Sequence, residues 1–178
     1  MLKIGLISDT HGHFDPKLKA FFADVDEIWH AGDIGNWSVI EKLKEINPNV
    51  KSVFGNIDGH EIRIQTKEHL IWEVEGLKIW MTHIGGYPGH YTAAVKAMMS
   101  EVKPDIFICG HSHILRVMRD EKFNNMIVMN PGAAGVHGWH KVKTVLRFSL
   151  ENKKVLHLEA VELGQRGKIE NTEDPNEY

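Results

Sequence analysis

Residues 105–113 read DIFICGHSH. Four strand-forming residues, Ile106, Phe107, Ile108 and Cys109, run into Gly110, which delivers His111 and His113 with a single serine between them. A short apolar run closed by glycine reads as a buried strand whose carboxyl end opens into a loop. Residues 2–8, 27–31, 50–54 and 78–82 have the same form. Helical patterns at 16–23 and 37–46 separate the early strands, and a longer one at 91–101 places Ala94, Met98 and Met99 on one face. This strand–helix–strand rhythm predicts a mostly parallel sheet whose strands gather their carboxyl ends at one rim.

Beyond residue 114 the rhythm changes. Segments 115–120, 125–129, 144–150 and 155–161, with turns at 121–124 and 151–153, read as antiparallel hairpins. A second sheet packed on the first is the economical solution. The expected domain covers residues 1–163. Residues 164–178 are polar, carry Glu170, Glu173, Asp174 and Glu177, and are expected to form a flexible tail.

Composition narrows the function. With 178 residues, a hydrophobic share of 42% and a charged share of 25%, the chain suits one ordinary globular domain. A net charge of −3 and no basic run longer than Lys153-Lys154 argue against a general attraction for nucleic-acid backbone. No stretch approaches the roughly 20 apolar residues of a membrane span. Cys109 is the only cysteine, which excludes an internal disulfide and fits a cytoplasmic location.

The residues that follow the strands share one chemistry. They are Asp9 and His11, Asp33, Asn56 and Asp58, His83, and His111 with His113. Carboxylates, imidazoles and a carboxamide form a mixed oxygen and nitrogen set that suits Mn, Fe, Zn, Co or Ni better than Ca or a structural Zn. Seven candidate ligands, Asp9, His11, Asp33, Asn56, His83, His111 and His113, are too many for one ion with an open position. Two ions about 3.5–4 Å apart that share a carboxylate would use them all.

In that order, Asp9-x-His11, Gly32-Asp33, Gly55-Asn56-x-Asp58, His83 and Gly110-His111-x-His113 resemble the signature of the calcineurin-like metallophosphoesterase superfamily. The short chain and the turn Asn130-Pro131-Gly132-Ala133 resemble its small bacterial and archaeal phosphodiesterase branch, to which the retromer scaffold subunit is also related. The resemblance spans about residues 4 to 148. It implies an α/β fold, a four-layer α/β/β/α sandwich of two mixed sheets flanked by helices. It also implies one ion on Asp9, His11, Asp33 and His113, and another on Asp33, Asn56, His83 and His111, with Asp33 bridging. Asn56, His83 and Asp58 would also serve the chemistry, Asp58 from behind the ligands. The implied reaction is hydrolysis of a phosphodiester by a hydroxide held between two divalent ions, with Mn expected and Fe, Zn, Ni or Co as alternatives.

Two features depart from the family pattern. Ile57 stands where many members carry a histidine thought to protonate the leaving group, and His13, His60, His90 and His137 are the candidate replacements. The Gly- and Pro-rich segment 84–90 reads as a loop walling a substrate pocket. The expected partner is a small phosphodiester or nucleotide-like substrate, with neither membrane nor nucleic acid involved and a homo-oligomer left open. The alternative is a catalytically inert scaffold like the retromer subunit. Among the other histidines, His30 reads as structural, and His60, His69 and His157 as surface or packing residues. His137 and His140, with Trp139, are divided between a pocket rim and an ordinary loop.

Overall fold

A computed structural model describes residues 1–167. Its strands are β1 (Leu2–Ile7), β2 (Glu27–His30), β3 (Val50–Ser52), β4 (His69–Val74), β5 (Leu77–Thr82), β6 (Ile106–Ile108), β7 (Leu115–Asp120), β8 (Met126–Pro131), β9 (Val142–Glu151) and β10 (Lys154–Gln165). Its α-helices are α1 (Leu18–Phe21), α2 (Ser38–Ile46), α3 (His60–Arg63) and α4 (Ala93–Val102). The strands form two mixed five-stranded sheets, in the orders β10-β9-β1-β2-β3 and β4-β5-β6-β8-β7.

Side chains alternate between two apolar layers, as the strand period of two requires. Ile4, Leu6 and Trp29 of one sheet meet Ile79, Met81, Ile106 and Ile108 of the other in the central core. On the outer side of the first sheet, Ile7 and Ile28 pack on Leu18 of α1 and on Val39, Ile40 and Leu43 of α2. On the outer side of the second, Trp80 and Phe107 pack on Val95 and Met99 of α4. Three apolar layers between helix, sheet, sheet and helix make the expected four-layer sandwich. Burial on both faces explains why the central strands read as unbroken apolar runs.

The division of strands between sheets differs from the expectation. Early parallel strands and late hairpins do not form separate sheets; each sheet contains both. The chain leaves the first sheet after β3, β4 and β5 open the second as an antiparallel hairpin, and β6 pairs in parallel with β5. β8 then joins β6 in parallel, and β7 closes that edge against β8. β9 returns to the first sheet and pairs antiparallel with β1, Ile4 opposite Phe148. The second sheet thereby flanks its parallel centre with an antiparallel strand on each edge, whereas the first carries its antiparallel pair, β9 and β10, on one side only and ends in the parallel β3 on the other.

Helix boundaries follow local chemistry. The Thr92 side chain accepts the Val95 N–H at 3.3 Å to start α4, and the helix ends in a left-handed Lys103 at φ 46°. The β9–β10 turn places Asn152 and Lys153 at φ 49° and 62°, the pair of positive φ angles that tight hairpins need. β10 continues to Gln165, opposite Val142, so the first two residues of the expected tail belong to a strand. Residues 168–178 of that tail lie outside the described residues. β4 was not expected. It is a half-exposed edge strand whose hairpin with β5 turns through Glu75 and Gly76, at φ 51° and 74°.

Candidate metal centre

All seven candidate ligands follow strands, but the strands come from both sheets. Asp9 and His11 follow β1, Asp33 follows β2 and Asn56 follows β3 in the first sheet; His83 follows β5, and His111 and His113 follow β6 in the second. The loops are stitched together past the ends of the strands. Asp9 and His11 N–H donate to the carbonyls of Gly32 and Asp33 at 3.0 Å each, and Gly110 N–H donates to the His83 carbonyl at 3.0 Å. Asp9, His11, Asp33, His111 and His113 all adopt left-handed backbone, at φ 53°, 47°, 53°, 66° and 59°. Such a conformation costs a non-glycine residue on the order of 1 kcal/mol and persists where surrounding structure imposes it, often at functional sites. Two glycines set how closely the loops approach. A Cβ on Gly55 would collide with the Asp33 carboxylate, and one on Gly110 with the Ser8 hydroxyl.

Each carboxylate divides its oxygens between protein and site. Asp9 Oδ2 accepts the Ser8 hydroxyl at 2.7 Å and the His111 N–H at 3.1 Å. Its other oxygen, Oδ1, is buried without a hydrogen-bond partner, 3.1 Å from His113 Nε2, 3.8 Å from His83 Nε2 and 4.0 Å from His11 Nε2. Asp33 Oδ1 accepts the Ile57 N–H at 3.1 Å, while Oδ2 lies 3.2 Å from His83 Nε2 and 3.4 Å from His11 Nε2. Ligand atoms fall into two groups that could each hold an ion, Asp9 with His11 and His113, and Asp33 with His83 and His111. Asp33 Oδ2 lies within reach of members of both groups.

Hydrogen bonds orient the imidazoles. His83 Nδ1–H donates to the Ala31 carbonyl at 2.8 Å, leaving the buried Nε2 turned toward the two aspartates. Burial opposes a charge on His83, but Asp33 and Asp9 outweigh it and hold its pKa above the usual value. A proton and a metal ion therefore compete for the same lone pair. His140 Nε2–H donates to the Gly135 carbonyl at 2.8 Å, and burial holds its pKa down, so the neutral ring presents Nδ1 as an acceptor. His113 Nδ1–H donates to it at 3.3 Å, which frees His113 Nε2 for Asp9. His111 Nδ1–H donates to Asn56 Oδ1 at 2.9 Å.

Behind these groups, Asp58 accepts backbone N–H groups from Ile34, Gly35 and Gly55 at 3.1, 2.8 and 2.7 Å. Both its oxygens are thus used to clamp the Asp33 loop to the Asn56 loop, so Asp58 is a positioning residue rather than one that touches a reacting group. His30 is buried and its pKa is held down at about 4 by that burial. The neutral ring accepts Gly32 N–H on Nδ1 at 3.2 Å and donates Nε2–H to the Thr10 hydroxyl at 2.9 Å. The thiol of Cys109 donates to the Gly86 carbonyl at 3.3 Å and stands outside both groups. Of the four candidate proton donors, His137 stacks on His11 with ring centroids 5.5 Å apart. His13, His60 and His90 make no ring contact with the seven candidate ligands among the described residues.

Sequence reasoning missed the supporting part of His140 and left Asn130 as a turn residue. The Asn130 Nδ2–H₂ group donates to the Gly110 carbonyl at 2.8 Å and to the Ser112 hydroxyl at 3.1 Å, fixing the loop between the two histidines of that strand end. The signal in hand was the glycine-rich stretch 135–140, where two histidines flank Gly138 and Trp139.

The donor set fits divalent cations. Asp9 Oδ1, His11 Nε2 and His83 Nε2 are buried and have no hydrogen-bond partner, an arrangement that costs free energy unless a cation joins it. Comparison with known proteins points the same way. A family model described as the calcineurin-like phosphoesterase superfamily domain matches residues 2–153. A phosphodiesterase of Methanocaldococcus jannaschii is 31% identical over 146 residues, spanning 74% of this chain and 83% of the relative. A solved archaeal phosphodiesterase superposes with a TM-score of 0.71 at 24% identity, over 90% of this chain and 99% of the other. Wild-type Vps29 of Entamoeba histolytica, complexed with zinc, superposes with a TM-score of 0.69 at 16% identity, over 92% and 100% of the two chains. These structural likenesses show the fold.

Proposed function

The chain belongs to the calcineurin-like phosphoesterase superfamily, and on that premise we propose that it is a dinuclear metal-dependent phosphodiesterase acting on small substrates. The observation that carries this reading is the convergence of buried, unpartnered ligand atoms from Asp9, His11 and His83 at the rim. Asp9, His11 and His113 with Asp33 would hold one ion; Asp33, Asn56, His83 and His111 would hold the other. Manganese is the proposed metal. Two divalent ions bound there would supply a hydroxide at neutral pH and offset negative charge on the phosphoryl oxygens.

The chain's own residues do the rest. Ser8 and the His111 N–H hold Asp9, and the Ile57 N–H holds Asp33, each with one oxygen facing the site. Asp58 and His30 keep the loops in register. In the reaction, hydroxide adds to phosphorus, the bond to one ester oxygen breaks, and that oxygen leaves as an alcohol once protonated. Ile57 is 46% exposed at the rim and has no proton to give. General acid catalysis typically contributes about 10²–10⁴-fold, so the enzyme should favour leaving groups that depart without a proton.

The test is hydrolysis of bis(4-nitrophenyl) phosphate by purified protein with Mn²⁺, beside Asp33→Ala. The wild type should turn over and the variant should lose at least about 10³-fold, since both ions lose a ligand. Activity that survives in Asp33→Ala overturns the mechanism. A wild type inactive with Mn, Fe, Zn, Co and Ni overturns the enzyme reading and favours the inert scaffold.

A further inference from the structure

Two cavities adjoin the group formed by Asp33, His83 and His111. One, of about 320 Å³, is bordered by Asn56, His83 and Arg63. The other, of about 300 Å³, is bordered by His111, Tyr87 and Arg116, and Ile84 lines both. Each cavity has an arginine over an aromatic ring, Arg63 at 4.4 Å from the Phe54 centroid and Arg116 at 3.7 Å from that of Tyr87.

The two arginines use their donors differently. Arg63 gives Nε–H to the Asp58 carbonyl at 2.6 Å and an Nη–H to the Gly55 carbonyl at 3.3 Å, so it is part of the loop scaffold. The Arg116 guanidinium makes no hydrogen bond or ion pair with any described residue. Its stacking on Tyr87 fixes the plane of the guanidinium while leaving its fork of donors uncommitted, and such a fork matches a carboxylate or phosphate. The wall that carries Tyr87 is itself held. Thr92 N–H donates to the Gly85 carbonyl at 3.1 Å, His90 N–H to the Tyr87 carbonyl at 2.7 Å, and the Cys109 thiol to Gly86. A site built this way is ordered before its ligand arrives, which lowers the cost of binding.

We propose that the cavity beside His111 receives one arm of the phosphodiester and that Arg116 recognises a second anionic group on that arm, a carboxylate or a further phosphate. The inference rests on the phosphodiesterase reading and narrows its substrate to diesters that carry an extra negative charge a few atoms from the reacting phosphorus. Tyr87 positions Arg116.

The experiment measures calorimetric binding to the Mn²⁺-loaded protein of two phosphonates differing only at the far end, 4-phosphonobutyrate and butylphosphonate. Wild-type protein should prefer the carboxylate by about tenfold or more, the range of a charge-assisted hydrogen bond. Arg116→Gln should bring the ratio near one, Arg116→Lys should leave an intermediate ratio, and Tyr87→Leu should lower it without altering the charge. Equal binding by the wild type, absence of binding by either phosphonate, or a preference that Arg116→Gln leaves intact overturns the subsite. Hydrolysis of bis(4-nitrophenyl) phosphate by the same sample separates the two ideas. Failure there with the preference retained removes the activity and leaves the anion site, whereas turnover without the preference removes only the subsite.

Discussion

The two ligand groups at the rim are built from the same side-chain types but stand in different surroundings. Asp9, His11 and His113 are backed by protein, with His140 bonded to His113 and His137 stacked on His11. In the group of Asp33, His83 and His111, His83 lines one cavity and His111 the other, and Asn56, the partner of His111, lines the first of them. The first group is therefore arranged for retention and the second for access. Under the dinuclear reading, one ion is held by a protein wall and the other meets the substrate.

That asymmetry can be broken most directly at the paired histidines. His113→Ala should weaken metal binding in the first group, and His111→Ala in the second, each by more than about a hundredfold, because outer partners alone contribute about 10–100-fold. Metal content and anomalous scattering from each variant check this. Equal loss of both ions from both variants would erase the distinction.

A finer test removes His140. His140→Ala should reduce affinity in the first group by about 10–100-fold and leave the second nearly unchanged, since among the candidate ligands its ring bonds to His113 alone. Competitive chelation gives both constants; equal weakening of the two would show that the wall is shared.

The smallest effect concerns the joint between the groups. His30 bonds to Thr10 in one loop and Gly32 in the other, and its folded pKa of about 4 lies below the unfolded value. The fold thus favours the neutral ring. Its contribution is fully present above the unfolded pKa of about 6.5 and is lost as pH falls toward 4. Between pH 7 and pH 6 this predicts a loss of about 0.7 kcal/mol in the metal-free protein, which denaturant titration can resolve. Burial also depresses His11 and His140, adding in the same direction, whereas His83 opposes it. A His30→Gln variant should show a shallower slope; an unchanged slope would show that the joint does not titrate.

The sequence announced the ligand positions because each lies next to a strand end, where a few adjacent residues carry both the strand signal and the chemistry. Cys109-Gly110-His111 is legible for that reason. Assignment of strands to sheets is not local. β1 chooses β9 as a neighbour from the far end of the chain, and no short window contains that pairing. β4 escaped because an edge strand half open to solvent lacks a clear apolar run. Asp58 looked like a participant because it lies two residues from Asn56, yet its oxygens turn away to backbone N–H groups. The stretch 135–140 marked His140 only as a possible rim residue, because its support of His113 depends on a contact with a residue 27 positions earlier.

All seven candidate ligands lie within the first 113 residues, whereas much of what seats them comes later. Ala134 and Gly135 N–H donate to the carbonyls of Ser8 and Asp9 at 3.0 Å each, and β9 covers the flank of β1. A nascent chain released up to Asn124 would carry every ligand and still lack the strand, the Asn130 brace and the His140 wall. Long-range pairings of this kind are slow to close. The order of synthesis therefore delays assembly of the rim until the last hairpin docks, and metal capture by a partly made chain would rely on loose ligands rather than a formed site.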